Sequence, residues 1–190
     1  MILHLLRHGQ STWNLEGRLQ GQTMAVPLTE LGRRQAAGAV THLSQRPLSA
    51  VWISDQLRAR QTAKLIAAPH GLDITVTVLL REQALGQLEG RLITELGAGL
   101  VPEGAFCTGV VRGGGESLQQ VHQRMLRLCD SLGTQFGDAD EVALVSHGDT
   151  LRVLLAVLAG RDQHKIGWVP VDNCQVLTRT LPPAPPVPGC

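Results

Sequence analysis

The 190-residue chain has the size of a single domain and is long enough to bury about two thirds of the surface that it exposes when unfolded. Hydrophobic residues make up 43% of the chain, charged residues make up 17%, and the formal net charge is +1, which argues against a disordered protein and against a basic nucleic-acid-binding surface. Because only 3% of the residues are aromatic, a surface that stacks on single-stranded bases is not expected either.

The cysteines and the apolar runs indicate the cellular compartment. None of the four cysteines has CxxC spacing, and Arg7 interrupts the first apolar run before it could act as a secretory signal. The longest apolar stretch, residues 153–159, is too short to span a bilayer. We therefore expect a reduced, cytoplasmic protein, a monomer or a homodimer, without a membrane or nucleic-acid partner.

Hydrophobic periodicity predicts an alternation of strands and helices. Short runs rich in branched apolar residues are typical of buried strands, and apolar positions three and four residues apart are typical of helices. In chain order, the sequence predicts a strand over 2–6, a helix over 28–45, a strand over 50–53, a helix over 55–68, a strand over 74–80, a helix over 117–132, a strand over 141–145, a helix over 149–160 and a peripheral strand over 173–180.

Several polar residues are predicted to begin these helices. Asp55 and Asp149 stand at the start of their helical patterns and are expected to cap the first turns. Ser117 and Gln120 have the spacing of a capping box. Arg124 is expected to lie on an exposed face, as are Arg33, Arg34, Arg60 and Arg127 of the predicted helices.

The order of the elements predicts an α/β fold, a three-layer α/β/α sandwich with a mainly parallel central sheet. One domain is expected over residues 1–180, since no linker or repeat divides it. Residues 181–190 are rich in proline, which lacks the N–H group that a strand needs, and they are expected to form a flexible, extended tail.

Polar residues follow each of the first four predicted strands. Arg7 and His8 follow the first strand, Arg58 lies shortly after the second, Glu82 follows the third, and His147 follows the fourth. Parallel sheets bind ligands at the carboxyl ends of their strands, so these side chains are expected to meet in one crevice.

These residue types are suited to phosphoryl transfer. The guanidinium groups of Arg7 and Arg58 can pair with the oxygens of a phosphomonoester, and a neutral imidazole at His8 can attack phosphorus to give a phosphohistidine. His147 can donate hydrogen bonds to the transferring oxygens, and Glu82 can protonate the leaving group and then accept a proton from water. The sequence therefore predicts an enzyme that hydrolyses a small phosphomonoester.

Five segments resemble the successive motifs of the histidine phosphatase superfamily, in its phosphoglycerate mutase-like branch with the α-ribazole and broad-specificity phosphatases. They are LRHGQSTWN, SDQLRARQTA, LREQALGQLEG, GGES and VSHGDTLR. The resemblance implies the three-layer fold, phosphorylation of His8, and a phosphate pocket built by the residues named above. It adds Asn14 and Gln20 as contacts to the phosphoryl oxygens, and we place Gly148, next to His147, with the substrate-binding residues. The segment QGQTMAVPLT departs from the family pattern QGxxDxPLT by one extra residue and by the missing aspartate.

Three other interpretations of these residues are disfavoured. A metal site is disfavoured because His8 and His147 lack a third ligand at suitable spacing and two arginines would repel a cation, so neither metal nor cofactor is expected. A phosphoglycerate mutase-type phosphotransferase must hold its substrate at two charged ends, whereas no Lys or Arg lies between Arg91 and Arg112. A non-catalytic module that binds phosphorylated ligands would have lost His8 or Glu82, and both are present.

Overall fold

A five-stranded sheet forms the centre of the protein, in a computed structural model that describes residues 1–96, 109–167 and 169–182. The regular elements of these residues are β1 (Ile2–Arg7), α1 (Thr12–Glu16), α2 (Glu30–Leu43), β2 (Leu48–Ile53), α3 (Leu57–Ala67), β3 (Ile74–Val76), α4 (Leu118–Gln135), β4 (Glu141–Ser146), α5 (Gly148–Leu158) and β5 (Val176–Thr180), with short 3₁₀ turns between them. In the described part of the chain, no helix is both long and apolar enough to cross a lipid bilayer.

The strands lie in the order β3-β2-β4-β1-β5, and only β5 runs antiparallel to its neighbour. The predicted mainly parallel sheet is thus confirmed, with β5 at its edge. Arg7 at the end of β1 pairs with Ser146 at the end of β4, and Ile53 at the end of β2 pairs with Val145. Because three strands end in register, the residues that follow them emerge at one edge of the sheet.

Helices cover both faces of the sheet and complete the predicted three layers. Leu5 of β1 packs with Met125 of α4 and Leu154 of α5 on one face. On the other face, Leu6 packs with Ala36 of α2 and Ala63 of α3. All six residues of β4 are buried, as expected for a central strand whose two faces are both covered.

The third strand is shorter than predicted. It ends at Val76, and residues Val78–Leu80 form a 3₁₀ turn. Thr77 caps this turn, since its hydroxyl accepts a hydrogen bond from the N–H of Leu79. An apolar run alone does not distinguish a strand from such a turn. The turn brings the following residues, Arg81 and Glu82, toward the edge of the sheet where β1 and β4 end.

The predicted caps are confirmed in one case and wrong in two. Ser117 and Gln120 form a capping box at the start of α4. Asp55 does not cap α3, because its carboxylate pairs with the Arg81 guanidinium at 2.6 Å. Gln56 takes the N-cap position, and its side chain makes no capping bond to the helix. Helix α5 begins at Gly148, one residue before Asp149. The Asp149 carboxylate pairs with the Arg152 guanidinium of the same helix and does not cap its first turn.

The structure corrects the predicted exposure of Arg124 and leaves the predicted tail untested. Arg124 does not lie on an exposed face, since only 6% of it is accessible to solvent and its guanidinium binds carbonyl oxygens of the segment before Glu82. The flexible tail over 181–190 lies outside the described residues, apart from its first two positions.

The loop after β1 packs closely against the start of α2. A Cβ atom added at Gly32 would overlap the carbonyl oxygen of Gln10, and one added at Gly9 would overlap the carbonyl oxygen of Gly32. Both obstacles are backbone atoms, which cannot rotate away as a side chain would. Glycine at these positions therefore allows the loop that carries His8 to lie directly on the helix.

This contact predicts unequal effects for two glycines of α2. Gly32→Ala should destabilise the protein by about 1–3 kcal/mol, as overpacking typically does. Gly38→Ala, a matched control in the same helix where a Cβ meets no atom within 4 Å, should stabilise it by up to about 1 kcal/mol through helix propensity. Urea unfolding measures both changes, and equal midpoints for the two variants would contradict the close approach.

Candidate active site

Two imidazoles lie side by side at the edge of the sheet where β1 and β4 end. The in-register pairing of Arg7 with Ser146 makes His8 and His147 neighbours, and their ring centroids are 5.1 Å apart in an edge-to-face arrangement. Both side chains are buried, with 2% of His8 and none of His147 exposed. The predicted meeting of the two histidines is therefore observed.

The hydrogen bonds of His8 fix its tautomer. Its Nδ1 lies 2.7 Å from the carbonyl oxygen of Gly9, which can only accept, so the neutral ring carries its proton on Nδ1. The backbone is held as well, since the N–H of His8 donates to Ser146 and its carbonyl accepts from the Asn173 side chain at 2.7 Å. The lone pair of the imidazole is consequently on Nε2.

A threonine of α3 connects the His8 loop to Arg58. The Thr62 hydroxyl accepts a hydrogen bond from the N–H of Gly9 at 3.0 Å and donates one to the carbonyl of Arg58 at 2.8 Å. Thr62 is completely buried, so these bonds do not compete with water. The two segments that carry His8 and Arg58 are therefore fixed relative to one another.

The guanidinium groups of Arg7 and Arg58 are held by carbonyl oxygens. Arg58 donates to the carbonyls of Thr23 and Gly21 at 2.8 and 2.9 Å, and Arg7 donates to that of Val171 at 3.0 Å. Burial lowers the pKa of Arg58 to about 10, so it stays charged at neutral pH. Both positive charges are thus held in fixed orientations, and no carboxylate of the described residues forms a direct ion pair with either guanidinium.

Unsatisfied polar atoms are concentrated at this place. Among the described residues, five buried side-chain nitrogens have no hydrogen-bond partner, and four of them are Nε of Arg7, Nε of Arg58 and both ring nitrogens of His147. Buried polar groups are almost always paired, so such a cluster indicates a site that awaits a polar ligand. The two charged arginines indicate that this ligand is an anion.

The same surroundings keep both histidines neutral. Burial and the charges of Arg58 and Arg7 hold the pKa of His8 well below its usual value. Burial, followed by Arg58, His8 and Arg7, lowers the pKa of His147 in the same way. A neutral His8 keeps its Nε2 lone pair available at neutral pH, and a neutral His147 keeps one N–H donor.

Glu82 lies beside this cluster, and its carboxylate binds the N–H groups at the start of α5. Its Oε1 accepts hydrogen bonds from the N–H groups of Gln83 and Thr150 at 3.0 and 3.1 Å, and Oε2 lies 3.3 Å from the N–H of Asp149. A Cβ added at Gly148 would lie 3.7 Å from Cζ of Arg7 and 3.8 Å from Oε2 of Glu82. Gly148 therefore separates the Arg7 guanidinium from the Glu82 carboxylate without a side chain of its own.

Asn14 and Gln20 lie together near the His8 loop, on either side of Ser11. The Ser11 hydroxyl is 3.0 Å from Oδ1 of Asn14 and 2.8 Å from Oε1 of Gln20. Among the described residues, the amide nitrogen of each side chain has no partner, so both can donate to a ligand. Their predicted contact with phosphoryl oxygens stays a prediction.

Gln56 is a residue of the site that the sequence did not indicate. Its amide nitrogen donates to the carbonyls of Gly21 and Thr23, the same oxygens that hold Arg58, while its Oε1 accepts from the N–H of Glu82 at 3.0 Å. Gln56 thereby links the segment that orients Arg58 to the segment that carries Glu82. The predicted helix over 55–68 included Gln56 as an ordinary first-turn residue, and nothing in its spacing marks this role.

Asp149 does not cap α5 as predicted, and the pKa of its carboxyl group also departs from the usual value. Burial and the Glu82 carboxylate raise the pKa of Asp149 to about 6. A second carboxyl group close to Glu82 was not expected from the sequence.

Among the described residues, no group of three His, Cys, Asp or Glu side chains has an arrangement suited to a metal ion.

Comparisons with known proteins identify similar sequences and structures. The model of the histidine phosphatase superfamily, branch 1, matches residues 3–182. The probable phosphoglycerate mutase GpmB of Yersinia pestis (strain Pestoides F) is 34% identical over 181 residues, which cover 92% of this chain and 82% of the relative.

Two solved structures are similar along most of their length. The mycobacterial glucosyl-3-phosphoglycerate phosphatase in complex with VO3 has a TM-score of 0.83 at 30% identity, covering 93% of this chain and 91% of that one. The α-ribazole phosphatase of Shigella flexneri has a TM-score of 0.80 at 27% identity, covering 94% and 89%.

The lowered pKa values of the two histidines predict that stability falls with decreasing pH. Unfolding frees both imidazoles to titrate near pH 6.5, so below about pH 7 the unfolded state binds more protons than the folded state. The free energy of unfolding should decrease by up to about 1.4 kcal/mol per pH unit for each histidine.

Urea unfolding between pH 7.5 and 6 tests this in His147→Gln, which should lose part of the slope. His42→Gln is the matched control on the exposed surface of α2 and should keep the wild-type slope. Asp149 titrates near pH 6 in the opposite sense and is present in every variant compared. A His147→Gln slope equal to that of the wild type would show that His147 is not held neutral by the fold.

Proposed function

Because the chain belongs to the histidine phosphatase superfamily, we propose that it is a metal-independent phosphomonoesterase that hydrolyses a small phosphorylated metabolite through a phosphohistidine on His8. The observation that carries this proposal is a neutral His8, with its Nε2 lone pair free, beside the unpaired donors of Arg7, Arg58 and His147. A phosphomonoester supplies what this cluster lacks, namely close to two negative charges and several acceptor oxygens.

In the first step, Nε2 of His8 forms a bond to phosphorus while the bond between phosphorus and the leaving oxygen breaks. Arg7 and Arg58 balance the charge of the phosphoryl group, and an N–H of His147 donates to an oxygen on which charge increases. The carboxylic acid of Glu82 gives its proton to the departing oxygen. The alcohol leaves, and a phosphoramidate remains on His8.

In the second step, water replaces the histidine. The Glu82 carboxylate takes a proton from a water molecule, whose oxygen bonds to phosphorus as the bond to Nε2 breaks. Inorganic phosphate leaves, and both His8 and Glu82 return to their starting protonation states. Two displacements at one phosphorus atom replace one that would be more difficult.

The distribution of charged residues in the sequence supports hydrolysis rather than transfer between two oxygens of one substrate. Such transfer needs cations for a second charged end of the substrate, and no Lys or Arg lies between Arg91 and Arg112. Phosphoglycerate mutase activity is the second candidate, because a relative that is 34% identical bears that name. Incubation with 3-phosphoglycerate separates the two, since a mutase yields 2-phosphoglycerate and a phosphatase yields inorganic phosphate.

The covalent step predicts a trapped intermediate. With ³²P-labelled substrate in the presence of EDTA, a base quench should retain label on the protein and an acid quench should not, because a phosphoramidate is labile to acid. His8→Ala should abolish the label and lower kcat by about three orders of magnitude or more. His42→Ala is the control for loss of an exposed histidine. A label that survives acid, or activity that requires an added metal ion, would overturn the proposal.

The role of Glu82 predicts a defect that depends on the leaving group. Glu82→Gln keeps the shape of the side chain and removes its proton transfer, which is typically worth about two to four orders of magnitude in rate. Because p-nitrophenolate departs without much protonation, kcat/KM should fall little for p-nitrophenyl phosphate and strongly for an alkyl phosphate. Equal losses on both substrates would tell against Glu82 as the acid and point to His147.

A further inference from the structure

Arg124 of α4 is a buried arginine that the proposed chemistry does not use. Only 6% of it is exposed, and burying a guanidinium is costly unless the charge is paired and its N–H groups are bonded. Its partner is Glu116, whose carboxylate accepts from Nε at 3.2 Å and from Nη2 at 3.0 Å. This two-pronged pair satisfies the charge and leaves further N–H groups for other acceptors.

Those N–H groups all bind the segment that carries Glu82. Nη1 of Arg124 donates to the carbonyls of Leu79 and Arg81 at 2.6 and 2.8 Å, and Nη2 lies 3.4 Å from the carbonyl of Glu82 itself. One planar side chain thus contacts three of the four carbonyl oxygens from residue 79 to residue 82. A lysine has the same charge but lacks the fixed fork that reaches several acceptors at once.

Glu116 holds the same segment from the other side of Glu82. Its Oε2 accepts from the N–H of Ala84 at 2.9 Å, its own N–H donates to the carbonyl of Ala84 at 2.8 Å, and its carbonyl accepts from the Gln83 side chain at 2.7 Å. The Arg124–Glu116 pair therefore contacts the backbone both before and after the proposed acid.

The segment depends on side-chain contacts because, among the described residues, no strand pairs with its backbone. Strand β3 ends at Val76, and the chain continues through the 3₁₀ turn Val78–Leu80. Beyond the turn, its backbone binds side chains of α4, of α5 and of the loops that carry Gln22 and Gln56. Where Glu82 stands is therefore decided by side chains from other parts of the chain, and Arg124 supplies the largest number of those bonds.

We propose that Arg124, paired with Glu116, is a positioning residue that places the Glu82 carboxyl group for proton transfer to the leaving oxygen. The inference rests on the proposed function, because it assigns Arg124 a role through Glu82. Arg124 is not a catalytic residue, since it contacts carbonyl oxygens and a carboxylate of the protein. A displacement of about 1 Å in a reacting group can cost about 100-fold in rate, so the fork is sufficient to affect turnover.

The experiment compares leaving groups in Arg124→Lys. For an alkyl phosphate, kcat/KM should fall at least about 10-fold more than for p-nitrophenyl phosphate, because only the alkyl group needs the proton of Glu82. In a Glu82→Gln background, Arg124→Lys should cause little further loss on the alkyl phosphate. Arg127→Lys, an exposed arginine of the same helix, is the matched control and should leave both rates unchanged.

The outcomes separate this inference from the proposed function. If Arg124→Lys lowers kcat/KM equally for both substrates, Arg124 is merely structural and the inference is overturned. The same conclusion follows if its full effect on kcat/KM is added to that of Glu82→Gln. If Glu82→Gln itself shows no dependence on the leaving group, the proposed role of Glu82 fails instead. Should Arg124→Lys not fold, Glu116→Gln keeps the size of the partner, removes its charge and should give the same leaving-group dependence.

Discussion

Two positive charges are held at the edge of the sheet by oxygens that carry no full charge, and the remaining features of the site depend on this. Arg7 and Arg58 donate to the carbonyls of Val171, Gly21 and Thr23, which fix the direction of each guanidinium but leave its charge in place. A carboxylate in the same positions would orient the arginines equally well and cancel the attraction for a phosphate. The segment that ends in Thr23 is thus part of the anion site through its backbone.

Other arginines of the same region show the contrast. Arg81 is paired with Asp55 and Arg124 with Glu116, each through short N–H to carboxylate bonds. The two ion pairs hold the segment around Glu82, whereas Arg7 and Arg58 have no carboxylate partner within hydrogen-bond distance among the described residues and keep their charge for the ligand that we propose. The presence of a carboxylate partner separates the two roles, since Arg124 also donates to carbonyl oxygens, and that partner comes from a distant part of the chain.

Much of the fold and the centre of the site could be predicted from the sequence, because both depend on local signals. Runs of buried residues indicated the strands, and parallel strands bring the residues after them together, which is how His8 and His147 were placed correctly. The prediction for Asp55 was wrong, and the strand predicted over 74–80 was too long, because a long-range partner acts on each: Arg81 pairs with Asp55, and Arg124 binds the turn that follows Val76.

For Arg124, the helical spacing indicated a buried position, but arginine is usually exposed, and the prediction followed the residue type. It lies three residues after Val121 and four before Leu128, on the same buried stripe of α4 as Met125. An arginine on such a stripe must find a partner inside the fold. Gln56 and Thr62 offer no comparable signal, since short polar residues in the first turns of a helix are ordinary and only the tertiary structure shows that they are buried.

In the proposed mechanism, a bound phosphoryl group would offset the effect of the two arginines on His8. In the free protein, their charges add to burial in lowering the pKa of His8, which keeps the imidazole neutral and its Nε2 lone pair available. A bound phosphoryl dianion offsets the field of both guanidinium groups, so the repulsion that makes Nε2 a weak base is removed only when the substrate is in place. In that mechanism, the groups that attract the anion also allow the basicity of Nε2 of His8 to rise when phosphorus lies beside it.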